Sequence, residues 1–445
     1  MSLYSRFYEN IAVPFHNLVR RRQYFRHRRF LEKSQWWSRD ELLDFQWKEV
    51  QSLLRHAFES VPYYQRKYRE AGIRLADIRT REDFRRLPTL SRAEINAHRE
   101  ELKSTTYRGT LEPYATGGSS GQPTRFYRTV ETYDWRFAAS HRAYSWSGSC
   151  PGEPTVWLWG APIGSTPWVA TIKRKVSEKL QRQLILSTFC QTRSGWTQVY
   201  EQVRRFRPKF LLGYVSSLEE FCRFLAEEHK TVPGLRGVIG AAEPIFESTR
   251  KLVQEVLQAP LFNTYGSREF MSIAGECERH EGLHINCENL VVETMLEPEE
   301  GPSEVIVTDL HNYGMPFIRY RIGDLGVLDP TPCLCGRGLP RIKSVEGRVL
   351  DALRMENGRV VPGEFFPHLL KDIPEVREYQ VRQESRTEIV LSAVLSDDLS
   401  IRSEHLLASE IEKVFGAGTH VRLNRVNEIP RLSSGKRRIT IGLEN

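Results

Sequence analysis

The chain has 445 residues, of which 40% are hydrophobic, 11% aromatic and 27% charged, and its formal net charge is +8. This length exceeds one ordinary domain and is short for three, and the composition is that of a globular protein rather than a disordered one. No window approaches the run of about 18 apolar residues that a membrane-spanning helix requires, and the first residues lack the order of a signal peptide, so a cytoplasmic protein is expected.

The first predicted element is a basic helical arm over residues 1–40. Its densest part interleaves arginines with aromatic residues: Arg20, Arg21, Arg22, Tyr24, Phe25, Arg26, Arg28, Arg29 and Phe30. A helix of this kind could rest on an anionic membrane surface, or its aromatics could pack on the protein while its arginines face water. The second interpretation is favoured, because isolated charge runs rarely decide function. A nucleic-acid partner is not expected, since no stacking platform or familiar binding motif is present.

Helical periodicity follows over residues 40–75, where apolar residues recur at the spacing of a buried helix face: Leu42, Leu43, Phe45, Val50, Leu53, Leu54, Ala57 and Phe58. From about residue 105, short apolar runs alternate with helical stretches. The runs are 156–159, 210–212 and 305–307, and the stretches are 218–228 and 247–257. Such alternation predicts an α/β fold with an extended sheet.

A glycine-rich and hydroxyl-rich segment occupies residues 114–124, with the sequence Tyr-Ala-Thr-Gly-Gly-Ser-Ser-Gly-Gln-Pro-Thr. Glycines permit close backbone approach, and exposed amides and hydroxyls can surround phosphate oxygens. The segment therefore predicts a phosphate-binding loop, although a flexible linker explains it equally well when it is taken alone. It is not a Walker loop, because no Gly-Lys-Ser/Thr follows at the required distance.

Five further segments follow this loop in the chain: 240–244 (Gly-Ala-Ala-Glu-Pro), 263–269 (Asn-Thr-Tyr-Gly-Ser-Arg-Glu), 320–324 (Tyr-Arg-Ile-Gly-Asp), 347–348 (Gly-Arg) and 430–436 (Pro-Arg-Leu-Ser-Ser-Gly-Lys). In kind and order they resemble the motifs of the adenylate-forming superfamily of acyl-CoA synthetases and ligases. Within it, the chain resembles the phenylacetate-CoA ligase-like branch, which includes capsule-biosynthesis homologues. The resemblance implies a large α/β domain over residues 1–348 and a small mobile α+β domain over residues 349–445.

The resemblance also implies an activity. A carboxylic acid would react with ATP to give an acyl-adenylate and pyrophosphate, and the acyl group would then pass to coenzyme A. Transfer to an amine or hydroxyl acceptor, in surface polysaccharide or natural-product biosynthesis, is the alternative. A non-enzymatic binding protein is a third hypothesis, suggested by Ile322 and Thr124, which replace a threonine and a lysine of the family pattern. Relatives often dimerise, so a homodimer is also open.

By the same resemblance, several residues would bind the nucleotide. The phosphates would lie against Thr116, Gly117, Gly118, Ser119, Ser120, Gly121 and Thr124, the adenine would lie against Ala242, Glu243, Pro244 and Tyr265, and Gly266 would also bind the nucleotide. Asp324 would accept both ribose hydroxyls, as a carboxylate with two acceptor oxygens can. Arg348 would contact the nucleotide, and Asp351 is the candidate hinge between the domains.

Three residues would carry the chemistry. Ser267 would approach the α-phosphate or the acyl carboxylate, and Glu269 would hold magnesium, which prefers carboxylate and phosphate oxygens. Lys436 would reach between the attacking carboxylate and the α-phosphate, where negative charge concentrates in the transition state. Without the other motifs, Lys436 would be taken for a solvated lysine beside Arg437 and Arg438.

A second constellation contains cysteines and histidines. The chain has seven cysteines, an odd number that argues against a disulfide framework, and Cys333 and Cys335 are separated by one residue. Thiolates and an imidazole from separate segments can close a tetrahedral zinc site. Zinc is assigned to Cys277, His284, Cys333 and Cys335; the resemblance favours His284, and His280 is the alternative. Four protein ligands would make the site structural, and free thiols remain the other explanation.

Overall fold

The structure is a computed structural model. It describes residues 2–115, 124–159, 168–187, 193–295, 302–348, 353–354, 360–361, 365–370, 373, 375–416, 418–430 and 438–443. Its helices and strands alternate along much of the chain, so the predicted mixed α/β class is confirmed.

The described α-helices are α1 Leu3–Phe7, α2 Val13–Arg20, α3 Tyr24–Ser34, α4 Arg39–Ser60, α5 Pro62–Glu70, α6 Arg81–Arg85, α7 Arg92–Ala97, α8 Val130–Ser145, α9 Trp168–Gln181, α10 Arg193–Phe206, α11 Val215–Glu227, α12 Glu247–Leu257, α13 Phe365–Leu370 and α14 Ile401–Phe415. A π-helical turn, Tyr8–Ala12, joins α1 to α2, and a short 3₁₀ turn covers Leu75–Asp77.

The described strands are β1 Leu111–Ala115, β2 Arg125–Thr129, β3 Thr155–Trp159, β4 Gln183–Ser187, β5 Phe210–Tyr214, β6 Gly237–Ala241, β7 Leu261–Ser267, β8 Met271–Glu276, β9 Leu283–Ile285, β10 Leu290–Thr294, β11 Ser303–Asp309, β12 Tyr320–Asp329, β13 Arg341–Arg348, β14 Leu353–Arg354, β15 Val360–Val361, β16 Val376–Gln383, β17 Glu388–Leu395, β18 His420–Arg425 and β19 Thr440–Ile441. The predicted apolar runs lie within β3, β5 and β11.

The periodic segment 40–75 forms two helices, and local signals set their limits. Ser38 caps α4 in a capping box with Glu41, which satisfies the first free amides of the helix. Pro62 occupies the first turn of α5, where its missing N–H costs nothing. The buried faces of both helices pack in one core with strands of the large sheet.

One large sheet contains the strands in the order β10-β11-β12-β13-β9-β8-β7-β6-β5-β3-β4. The strands β4, β3, β5, β6 and β7 run parallel, and α9 to α12 supply the crossovers between them. The residues of β5 and β6 are almost all buried, as expected for parallel strands with both faces covered. From β7 to β10 the pairing is antiparallel.

The direction of strand addition reverses inside the parallel half. The chain passes from β3 outward to β4, then returns to place β5 on the opposite side of β3. In open α/β sheets, ligands bind outside the carboxyl ends of the strands at such a reversal. The crevice beyond β3 and β5 is therefore where a ligand is expected.

A separate four-stranded sheet, in the order β18-β17-β16-β19, lies near the end of the chain. Its strands share a core with α13 and α14 that includes Phe366, Leu391 and Ile411. The predicted boundary between residues 348 and 349 stays a prediction, because residues 349–352 lie outside the described ranges.

The amino-terminal arm packs on α8 through its inner face. Tyr24 and Leu31 share a small core with Trp135 and Ala138, and Phe25 and Phe30 pack against this core. The second interpretation of the arm expects such packing. Arg22 is half-buried and pairs with Asp134 at 2.6 Å, and the expectation of a wholly solvated arginine face fails most clearly at one fully buried residue.

That residue is Arg28, which is only 4% exposed. Its guanidinium pairs with Glu9 at 2.7 Å and with Glu32 at 2.9 Å. Burial is tolerated because two carboxylates compensate the charge. Among the described residues, no helix combines the length and apolar character needed to cross a bilayer.

Candidate active site and metal centre

Two aromatic rings stand at the reversal of the large sheet. Trp159 ends β3 and Tyr214 ends β5, and their rings stack with centroids 4.3 Å apart and an interplanar angle of 24°. The segment after β3, residues 160–167, lies outside the described ranges. The stack therefore gives the crevice one flat aromatic wall.

The turn after β6 carries three of the predicted adenine contacts and has a constrained backbone. Ala242 adopts a φ of 68°, in the left-handed region that residues with a side chain rarely enter. The Glu243 carboxylate accepts the Ser216 N–H at 2.7 Å and its Oγ at 3.1 Å. These bonds fix the turn that contains Pro244 to the start of α11, so its backbone is held in place.

Tyr265 and Asp324 come from separate segments and meet in the structure. The Tyr265 hydroxyl donates to Asp324 Oδ2 at 2.7 Å, and both side chains are buried. Asp324 lies in β12 directly opposite Arg348 of β13, although the side chain of Arg348 is not described. Three predicted nucleotide residues thus converge at one place.

Glu269 lies in the turn between β7 and β8 and is buried. Its Oε1 accepts the Tyr320 hydroxyl at 3.1 Å. Burial and the Glu269 charge raise the pKa of Tyr320 above its ordinary value, so the hydroxyl stays protonated and donates. Arg92 also hydrogen-bonds to this hydroxyl, and Leu90 pairs with Tyr320 in a β-bridge. The sequence reasoning missed Arg92 as a site residue and gave no role to Tyr320, although Tyr320 begins the 320–324 motif.

Gly266 and Ser267 shape the same turn. A Cβ at Gly266 would lie 2.0 Å from the carbonyl oxygen of Met271, a separation no real side chain tolerates. The Oγ of Ser267 accepts the Phe270 amide at 3.3 Å and so caps the turn that holds Glu269. Glycine is thus required here for close backbone approach between β7 and β8.

The stem of the predicted phosphate loop is fixed against this turn. In the β1–β2 hairpin, Ala115 pairs with Arg125, so the loop joins these two positions. The Ala115 carbonyl accepts a hydrogen bond from the Arg268 guanidinium at 3.1 Å. Because Arg268 precedes Glu269, this bond ties Ala115, the last described residue before the predicted loop, to the turn that carries the candidate magnesium ligand.

Several predicted residues lie outside the described ranges: Thr116, Gly117, Gly118, Ser119, Ser120, Gly121, Asp351 and Lys436. Thr124 lies just beyond the loop, and its side chain is completely buried. The assignments of all these residues stay predictions.

The cysteine and histidine constellation forms a compact cluster. Cys277 follows β8, His284 lies in β9, and Cys333 and Cys335 lie between β12 and β13. Their four ligand atoms all lie within 4.8 Å of one another. Cys277 Sγ and Cys333 Sγ are 3.8 Å apart, and Cys335 Sγ lies 3.3 Å from His284 Nε2.

Hydrogen bonds orient these side chains toward one point. Nδ1 of His284 lies 3.4 Å from the Leu339 carbonyl, so a proton on Nδ1 leaves the Nε2 lone pair facing the sulfurs. The amides of Arg279 and Arg337 each donate to a cysteine Sγ at 3.5 Å. Hydrogen bonds of this kind fix the orientation of side chains that bind metals.

The electrostatics of the cluster favour a cation. Burial lowers the pKa of His284 to about 4, so its imidazole is neutral at neutral pH, as a ligand must be. Burial and the neighbouring thiols raise the pKa of Cys277 to about 12. Burial also acts to raise the pKa of Cys335, but hydrogen bonds from Arg337 hold it below its ordinary value. Cys277 is thus a neutral thiol in the protein alone, and a bound cation would supply the positive charge that lets buried sulfurs ionise together.

His280, the alternative ligand, lies elsewhere. Its ring approaches Glu276 Oε2 at 3.2 Å and Arg250 at 3.3 Å, and it packs on Phe262. It is not a member of the cluster, which the structure builds with His284.

Comparison with known proteins agrees with this architecture. Residues 353–442 match the family model of the CapK C-terminal domain. The phenylacetate-coenzyme A ligase of Thermus thermophilus is 26% identical over 459 residues, covering 91% of this chain and 97% of the relative. Protein CapK of Staphylococcus aureus is 23% identical, covering 81% of this chain and 80% of its own.

Among solved structures, 2-hydroxyisobutyryl-CoA ligase in its postadenylation state superposes with a TM-score of 0.69 at 18% identity, covering 89% of this chain and 88% of that one. This similarity establishes the fold, and the sequence relatives extend over nearly the whole chain. The chain is therefore similar over most of its length to phenylacetate-coenzyme A ligases and to CapK, and it shares the fold of 2-hydroxyisobutyryl-CoA ligase.

Proposed function

We propose that this protein is an AMP-forming ligase. It activates a small carboxylic acid with ATP, releases pyrophosphate and transfers the acyl group to coenzyme A. The observation that carries the proposal is that the 263–269 segment, which contains Tyr265 and Glu269, meets Asp324 of the distant strand β12 at the carboxyl end of β7. The relatives named for acid and coenzyme A ligation support it.

Asp324 is assigned to the ribose. Its carboxylate is oriented before any ligand arrives, because Tyr265 holds Oδ2. A fixed carboxylate suits a vicinal diol, since both of its oxygens accept hydrogen bonds. Preorganisation of this kind lowers the entropic cost of binding.

Glu269 is assigned to magnesium. Arg268, the preceding residue, ties the stem of the phosphate loop to this turn, and Tyr320, to which Arg92 hydrogen-bonds, holds the Glu269 carboxylate there. Magnesium binds to one or two carboxylates together with nucleotide phosphates, and it would neutralise phosphate charge there. Neutralisation matters because the attacking carboxylate and the α-phosphate are both anions.

Lys436 is assigned to the adenylation step. Its ammonium would stabilise the charge that develops between the carboxylate and the α-phosphate. The small carboxy-terminal domain would present Lys436 for this step and withdraw it for acyl transfer, a gating role for a moving domain. Arg348 and Asp351 would lie at the junction.

Pyrophosphate exchange into ATP tests the first step directly. The purified chain is incubated with magnesium, labelled pyrophosphate and separate aryl, fatty, amino and sugar acids, with Lys436→Ala in parallel. Exchange that depends on one acid class and is lost in the variant is expected. Silence with every acid, while ATP still binds, would favour a binding protein on a ligase scaffold.

The acceptor is tested on the same preparation. Coenzyme A is added after adenylate formation, and the thioester is measured by mass spectrometry against reactions that contain amines or hydroxyl compounds. Thioester formation is expected. An amide or ester formed in preference would establish the alternative acceptor class.

The four-residue cluster is assigned to a structural zinc ion. Zinc–sulfur bonds of about 2.3 Å in a tetrahedron place two sulfurs about 3.8 Å apart, the separation observed between Cys277 and Cys333. Three thiols and a neutral imidazole are a common structural zinc set. Metal analysis of the purified chain should return about one equivalent, as one closed tetrahedral site requires. A stable, metal-free preparation would contradict the assignment.

A further inference from the structure

The outer face of the amino-terminal arm is apolar and exposed. Between residues 3 and 20, six large apolar side chains are each between 52% and 84% exposed: Leu3, Phe7, Ile11, Phe15, Leu18 and Val19. Their spacing follows one side of the continuous helical segment formed by α1, the π-helical turn and α2. The opposite side carries Ser5 and Asn17, both buried against the protein. Single exposed apolar residues are ordinary, but an aligned set marks an interaction surface.

Positive charge borders this apolar stripe. Arg6, Arg20 and Arg21 are exposed and form no ion pair with any residue in the described ranges. The acidic residue of the segment, Glu9, turns inward to Arg28 instead. The outer face therefore presents apolar and cationic groups and lacks anionic ones within 3–21.

A second exposed stripe lies on α9. Ile172, Val176 and Leu180 recur every fourth residue and are 51%, 53% and 54% exposed. Lys175 and Lys179 are exposed beside them. The two stripes meet where the Tyr4 hydroxyl donates to the Leu180 carbonyl at 2.7 Å. The Arg182 guanidinium covers the Tyr4 ring at the same junction.

We propose that these two helices form a docking surface for a lipid bilayer rich in anionic headgroups. An interfacial helix inserts its apolar side among the acyl chains, while arginines and lysines at its border contact lipid phosphates. A bilayer fits better than a second copy of the chain. Two identical cationic borders would repel each other, whereas an anionic surface complements both at once. The surface is distinct from the candidate active site, so it would place an active enzyme at a membrane.

Vesicle flotation with the full chain tests this surface. Vesicles of phosphatidylcholine alone are compared with vesicles that also contain phosphatidylglycerol, at low and high salt. Binding to the mixed vesicles, weakened by salt, is expected. Phe7→Ser, Phe15→Ser and Leu18→Ser combined should lower the partition coefficient by about 100-fold or more, since each removes a side chain that would be buried.

Two further variants complete the test. Ile401→Ser replaces an equally exposed apolar residue of the small domain, at 76% exposure, and should leave binding unchanged. Arg20→Glu with Arg21→Glu should weaken binding to the mixed vesicles by about tenfold or more, with an unchanged circular dichroism spectrum and melting temperature.

Three results would overturn the proposal. They are failure of the wild-type chain to float, equal flotation of the triple variant, and equal binding to neutral and anionic vesicles. A wild-type dimer that the triple variant converts to monomers, without lipid binding, would show that the face is a subunit interface instead.

Discussion

The candidate active site and the cysteine–histidine cluster flank the same hairpin but are organised differently. In the candidate active site each hydrogen bond joins a donor to an acceptor: the Tyr265 hydroxyl donates to Asp324, and the Tyr320 hydroxyl donates to Glu269. The cluster instead gathers groups of the same kind, since thiols face one another and an imidazole lone pair. The first arrangement is complete in the protein, whereas the second, in the function proposed above, would be completed by a metal ion. Substitutions in the first should therefore lower activity, and substitutions in the second should lower stability.

The largest effect should come from Lys436→Ala. Loss of a charge that acts only in the transition state should slow adenylate formation by roughly 100- to 1000-fold. Acyl transfer from preformed adenylate should continue, and the melting temperature should not change. Arg437→Ala, a neighbouring cation, is the matched control for pyrophosphate exchange and should retain activity. Equal loss of both half-reactions in Lys436→Ala would remove its assigned role.

Asp324→Ala should weaken ATP binding by about 10- to 100-fold, the loss expected for hydrogen bonds to a charged group. Tyr265→Phe keeps the carboxylate and removes only the hydroxyl that orients it, so it should weaken binding much less. Calorimetric titration with a non-hydrolysable ATP analogue measures both. If the two variants lose equal affinity, the carboxylate serves the hairpin rather than the nucleotide.

Cys333→Ser, unlike the two preceding variants, should lower the stability of the protein rather than its activity. Without its complete ligand set the metal is lost, and the free energy of unfolding should fall by about 3 kcal/mol or more. Cys222→Ser is the control, because Cys222 is a fully buried thiol of α11 outside the cluster. It should retain about one equivalent of metal. Urea unfolding and metal analysis distinguish the two variants. A Cys333→Ser protein with normal stability would contradict the view that the cluster stabilises the fold.

Acid should also lower the stability of the folded chain. The rings of His27 and His311 each stack on the ring of Trp135, and burial lowers the pKa of each histidine to about 4. The unfolded chain takes up these protons near pH 6.5, so between about pH 6.5 and 4 it binds more protons than the folded chain. Stability should fall as the pH falls through this window, by at most about 1.4 kcal/mol per pH unit for each histidine.

Urea unfolding at pH 7 and pH 5 measures this slope, and His27→Gln should remove part of it. Both candidate sites stay chemically intact in that variant. An unchanged slope would show that His27 carries no part of the acid sensitivity.

Much of the fold could be predicted because local signals agree with the tertiary structure. The capping box at Ser38 and the proline at position 62 begin helices where the apolar periodicity requires them. The runs in β3 and β5 are recognised as strands because they are short, apolar and bounded by helices, whereas the run in β11 is short and apolar but stands between two other strands. The order of the strands in the sheet could not be predicted from such local signals, because strand pairing depends on contacts between segments that are distant in the sequence.

The same limit applies to the candidate sites. Sequence spacing leaves His280 and His284 both open, and only the pairing of β9 with β8 and β13 directs His284 to the cysteines. Arg92 carries no sequence signal, because its role depends on the bridge between Leu90 and Tyr320, which are far apart in the chain. Residues 116–121 and Lys436 lie outside the described ranges, so their assignments still depend on family resemblance.

Gly266 has a consequence for protein engineering. Because the Met271 carbonyl occupies the space of a Cβ, any side chain at position 266 would push apart the hairpin that carries Glu269 at its turn and leads into Cys277. A saturation library at this codon, selected for folded protein alone, should return glycine alone. Engineering of the crevice should therefore vary its aromatic wall at Trp159 and Tyr214 and leave Gly266 fixed.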